Sequence, residues 1–108
     1  MTKKTIPVSR LDALIEEAIT DAYGESEQRG GFHTMIDEHL ALPFTTRVLG
    51  VDVSVTAIDQ NDAEEIVAIC TRGRSRQAIP ILDLPLPSPA PAGADWIEAY
   101  RRWARGGG

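Results

Sequence analysis

The chain holds 108 residues, of which 43% are hydrophobic and 25% charged, with a formal net charge of −5 at neutral pH. That length is one domain, able to bury a modest core without metal or disulfide staples. The acidic balance argues against nucleic-acid or anionic-membrane binding by the molecule as a whole, and no apolar run approaches the length of a membrane span.

The charge is uneven. Residues 11–46 hold eight acids, Asp12, Glu16, Glu17, Asp21, Glu25, Glu27, Asp37 and Glu38, against the single base Arg29. Two groups of bases lie elsewhere, at Arg72, Arg74 and Arg76 and at Arg101, Arg102 and Arg105. The lone Cys70 has no partner for an internal disulfide, which suits a reducing compartment. Lys3 and Lys4 open the chain as a signal peptide would, but Arg10, Asp12, Glu16 and Glu17 break the apolar run that should follow. These features place the protein in the cytoplasm.

An N-terminal tail (1–8) precedes a helical pair (9–41). Leu11, Leu14, Ile15, Ala18, Ile19, Ala22 and Tyr23 recur at three- and four-residue spacing, the stripe of an amphipathic helix. Ser9 with Asp12 three residues later resembles a capping box, and Gly24 is the natural stop. A second helix is expected from about Ser26 to Ala41, burying Phe32, Met35, Ile36 and Leu40. Gly30 and Gly31 weaken it by roughly 1 kcal/mol each relative to alanine, and mark either a break or a close helix–helix approach. Pro43 ends it.

A small, bent, antiparallel, SH3-like sheet is expected over 45–83, where the period changes to two. Val51, Val53, Val55 and Ala57 alternate with polar residues in one strand. IVAIC (66–70) and QAIPIL (77–82) form two more, and TRGRSR (71–76) is a tight turn around Gly73. Pro80 puts the last strand at an edge. LPLPSPAP (84–91), within an extended segment at 84–92, reads as a polyproline-like spacer. A final helix at 93–105 puts Trp96, Tyr100 and Trp103 on one side, as core residues rather than a base-stacking platform. The fold class is therefore α+β: two helices, a sheet and a closing helix.

With the order established, the stretch EEAITDAYGESEQRGGFHTMIDEHLALPF (16–44) resembles the opening of the small cyanobacterial calcium-binding proteins of the CcbP type. The shared features are Asp21-Ala22-Tyr23-Gly24, Glu27-Gln28, Phe32, Asp37-Glu38 and Pro43-Phe44. The β-rich middle and the WIEAYRRW ending are compatible with it. The resemblance implies a compact α/β fold that binds calcium without an EF-hand, through carboxylates on an acidic surface. The chain departs from the pattern at Gly30-Gly31-Phe32-His33 and in a β region poorer in acids.

The chemistry of calcium suits that implication. The ion takes six to eight oxygen ligands with flexible geometry. Asp21, Glu25 and Glu27 bracket the corner at Gly24, where carbonyls and carboxylates meet, and Asp37 and Glu38 lie farther along the second helix. These five are the candidate calcium ligands. The competing reading is a solvated acidic face, with Glu25 and Glu27 placed by the helix dipole. The DQNDAEE stretch (59–65) fails the EF-hand pattern, since Ala63 takes a ligand position and no glycine occupies position six. That stretch is expected to be an ordinary polar turn, with a weak second site on Asp59, Asp62 and Glu64 as the alternative.

The remaining candidates are thinner. His33 and Asp37 have the spacing of a metal pair but are only two ligands. His39 beside the apolar stripe reads as a partly buried structural histidine, and Cys70 as a buried inert thiol. No residue has the neighbourhood of an activated nucleophile, so a non-catalytic protein is expected. The rival to calcium is an interaction module that binds a protein or nucleic-acid partner through Arg72, Arg74 and Arg76 or through a sheet edge. The missing aromatics and the net charge make nucleic acid the poorer partner.

Overall fold

A computed structural model describes residues 6–106. The order is α1 (Val8–Ala18), α2 (Glu25–His39), β1 (Phe44–Val48), β2 (Val51–Gln60), β3 (Ile66–Arg72), β4 (Ser75–Pro80), a 3-10 turn (Ile81–Asp83) and α3 (Ala94–Ala104). No described helix is long and apolar enough to cross a membrane. Residues 1–5 of the expected tail, with Lys3 and Lys4, lie outside the described residues, as do the last two glycines.

The first helix differs from expectation at both ends. Pro7 occupies the N-cap, its carbonyl accepts the N–H groups of Arg10 and Leu11, and no side chain caps the helix. Proline holds φ near the helical value before the helix begins, so the box of Ser9 and Asp12 is not used. Helix α1 stops at Ala18 rather than Gly24. The Thr20 hydroxyl donates to the Glu16 carbonyl at 2.7 Å, and Asp21 takes a positive φ of 60°. Residues 19–24 thus form an irregular corner, and Tyr23 is turned out with 79% of its surface exposed.

Helix α2 runs through Gly30 and Gly31 without a break. A Cβ on Gly31 would collide with the carbonyl oxygen of Ala18, whereas one on Gly30 would meet nothing. Of the two roles open to the glycine pair, close helix–helix approach is the one realised, by Gly31 alone. The helix ends at His39, with Leu40 extended behind it.

The sheet is an antiparallel meander in the order β1-β2-β3-β4. Its four strands exceed the three expected because residues 44–48 form a strand of their own, paired Phe44↔Val55 through Val48↔Val51. The Leu49-Gly50 turn that separates them has positive φ at both positions, 50° and 77°. That is hairpin geometry normally marked by asparagine and glycine, so the leucine concealed it. A bulge between Val55 and Ala57 bends β2. The last strand ends at Pro80, and Ile81 and Leu82 belong to the 3-10 turn.

The core lies between the helices and one face of the sheet. Leu14, Phe32, Ile36 and Ile97 meet Val55, Ile66, Ala68 and Cys70, all buried. The proline-rich segment is not a free spacer. Leu84 is buried, the Thr46 hydroxyl donates to the Pro85 carbonyl, and the Ala41 N–H to that of Ala92. On α3, Trp96 and Tyr100 are buried and Trp103 half-buried, with Phe32 packed 5.4 Å from Tyr100 and 5.3 Å from Trp103 between ring centres.

Candidate cation site

The corner between α1 and α2 gathers acids from three segments. Asp21 stands in the linker, Glu25 and Glu27 occupy the first turn of α2, and the Ser26 hydroxyl donates to the carboxylate of Glu64 in the β2–β3 loop. Glu27 accepts the N–H of Tyr23 at 3.3 Å, and Glu25 takes a bond of 2.9 Å from Arg29. Acids here face the positive end of the helix dipole. The β2–β3 loop is itself held by Asn61, whose side-chain oxygen accepts the N–H groups of Ala63 and Glu65, both at 2.9 Å. Glu64, with its positive φ of 66°, joins the loop to the helix corner; sequence spacing carries no signal for that.

Asp37 and Glu38 are placed differently. They sit in the last turn of α2, exposed, twelve residues from Glu25 and therefore about 18 Å along the helix axis. Two carboxylates there face the negative end of the dipole. The five candidates thus form two groups. Among the described residues no three carboxylate, histidine or cysteine side chains converge as a preformed metal cage. Of the five, only Glu25 has an ion pair among the described residues.

Arg29 is the base of this face. Its guanidinium lies 5.3 Å from the centre of the Trp103 ring and beside Glu25. Burial acts to lower its pKa, but bonds to Glu25 and Tyr100 outweigh that and hold it above the ordinary arginine value. Trp103 is fixed in turn by its indole N–H, which donates to Gln28 at 3.0 Å.

The other candidates resolve separately. His33 is half-buried, and its Nε2 has no partner among the described residues. His39 is exposed rather than partly buried, and stacks one face on Trp96 at 5.3 Å and 14°. Cys70 is buried, and burial pushes its thiol pKa up, as an inert core sulfur requires. Arg72, Arg74 and Arg76 are all exposed on the β3–β4 hairpin, where Arg72 donates to the Asp52 carbonyl at 3.3 Å.

What the arrangement offers is exposed carboxylate oxygens in two separate groups, of the donor type that hard cations accept. A family model described as calcium binding, of the CcbP type, matches residues 12–104, which span both groups of carboxylates, all of α2 and α3 and the greater part of α1. No curated protein and no solved structure matches the chain. The chain belongs to the CcbP-type family of calcium-binding proteins.

Proposed function

We propose that this protein binds calcium through the acidic face of its helical pair, without an EF-hand loop and without catalysis, and that it does so in the cytoplasm. Asp21, Glu25 and Glu27 serve at the α1–α2 corner, with Glu64 beside them, and Asp37 and Glu38 at the far end of α2. The observation that carries this reading is an acid excess that the fold pairs only in part, Asp12 with Arg102 and Glu25 with Arg29. Eight acids and one base occupy residues 11–46, and Asp21, Glu27, Asp37 and Glu38 have no ion pair among the described residues. A divalent ion relieves that repulsion more than a solvated face can.

The two groups differ in what they gain. Glu25 and Glu27 are already favoured by the helix N-terminus, whereas Asp37 and Glu38 oppose the carbonyl end. The carbonyls of that last turn add neutral oxygen ligands of the kind calcium accepts. With no closed ligand loop, affinity falls on the order of 10⁻⁵ to 10⁻³ M.

Calcium titration followed by two-dimensional amide NMR, in about 0.15 M salt with magnesium present, tests this. Saturable shifts clustered on residues 21–38 are expected. An absence of shifts up to several times the weakest expected dissociation constant refutes the site. The second reading, an interaction surface at Arg72, Arg74 and Arg76, is supported by the exposure of that hairpin.

A further inference from the structure

The sheet separates two unlike ends. The β1–β2 and β3–β4 turns lie together at one end, and the β2–β3 loop lies at the other, about 30 Å away along the ten residues of β2. The first end carries Arg47, Arg72, Arg74 and Arg76 against the single acid Asp52, which is taken up by Arg47 at 3.1 Å. Arg74 and Arg76 have no ion pair among the described residues. At the apex of this basic end stands Leu49, 98% exposed, with Val51 39% exposed behind it.

Leu49 is the anomaly. A non-glycine residue at φ 50° is strained, and an asparagine there would suit both the turn and the solvent. A leucine in that conformation, fully in water, breaks the local rule twice, and such breaks concentrate where function overrides folding.

We propose that this hairpin tip docks on the acidic α1–α2 corner of a second copy of the chain. The complementarity is on both sides. The corner presents Asp21, Glu27 and Glu64 around Tyr23, which is 79% exposed, while Arg29 is taken up by Glu25, so each end sets an exposed apolar side chain amid charge of the opposite sign. The two ends of one molecule lie too far apart to meet, so the contact is between molecules. Repeated head to tail it is a heterologous contact that builds open chains or rings, and made reciprocally between two antiparallel copies it closes a two-fold dimer. A surface this small makes the association weak and salt-sensitive.

The corner overlaps the cation site proposed above, so the test is run in EGTA and does not depend on calcium. Sedimentation equilibrium over a hundredfold concentration range, up to about 1 mM, reads the association. A mass that rises with concentration at low salt and returns to monomer in 1 M NaCl, where the Debye length is about 3 Å, is expected. R74E/R76E and E25R/E27R are each expected to be monomeric, and their mixture to associate. L49N, which relieves the turn and so retains the fold, weakens association about fivefold. Y23S does the same, and the double variant L49N/Y23S loses no more than either alone. A monomer at every concentration, association unmoved by R74E/R76E or by L49N, or additive losses in the double variant would overturn the proposal.

Discussion

Gly31 packs so tightly on Ala18 that any Cβ would overlap the Ala18 carbonyl oxygen, so the absence of a side chain there lets α2 pass close to the end of α1. Its neighbour Gly30 faces open space in the same helix. The two glycines therefore respond oppositely to the same substitution. Gly30→Ala gains helix propensity, up to about 1 kcal/mol. Gly31→Ala forces the helices apart and costs about 1–3 kcal/mol, in excess of the propensity gained. Thermal denaturation followed by tryptophan fluorescence separates them, since each kcal/mol moves the midpoint by roughly 4–8 °C in a domain of this size. A midpoint that rises for both variants would show that Gly31 is not a contact point.

The carboxylates of α2 make a pair of predictions with opposite signs. Asp37→Asn with Glu38→Gln removes two charges from the unfavourable end of the helix, and raises stability in EGTA by about 0.3–1 kcal/mol per residue. Glu25→Gln with Glu27→Gln removes charges from the favourable end and lowers stability by a similar amount. With the proposed ligands, both pairs are expected to diminish any stabilisation by calcium, read as the difference in midpoint with and without the ion.

Leu49→Asn or Leu49→Gly relieves a strained positive φ and raises stability by about 1 kcal/mol. Urea denaturation with an unchanged slope is the measurement that checks it. A loss of stability in both variants would mean that the turn does not hold the leucine in that conformation.

Cys70 supplies a pH dependence. Burial raises the thiol pKa, so the fold holds that proton more tightly than the unfolded chain does. The stability this represents is fully present below the ordinary thiol value of 9.0 and falls as pH rises past it. Cys70→Ala flattens the alkaline limb of the stability profile and costs packing at neutral pH. In the native wild type, thiol reagents modify Cys70 only as fast as the chain opens.

Elements with a strong apolar period are legible in the amino-acid sequence. The stripe of Leu14 and Ala18, the alternation of Val53 and Val55, and the aromatic side of α3 each follow from a hydrophobic face that must be buried. The acidic character of residues 11–46 and the residues that mark the calcium-binding family are legible too, because both are local. The ends of α1 are not. Pro7 and the Thr20 hydroxyl bound that helix, while Ser9 and Gly24 carry the stronger local signals.

What composition and periodicity determined was the α+β class, much of the core and an excess of acids in residues 11–46, although Tyr23 and Val51, placed on apolar stripes, are exposed. Tertiary structure alone decided which charges are neighbours. Helix geometry separates Asp37 and Glu38 from the corner by several turns, whereas a fold-back of the sheet brings Glu64 to Ser26 across 38 residues. Strand pairing likewise gathers Leu49 and the arginines of the β3–β4 hairpin at one end of the molecule. Local propensity acts over a few residues, but a charge site depends on distances that only packing of the whole chain establishes.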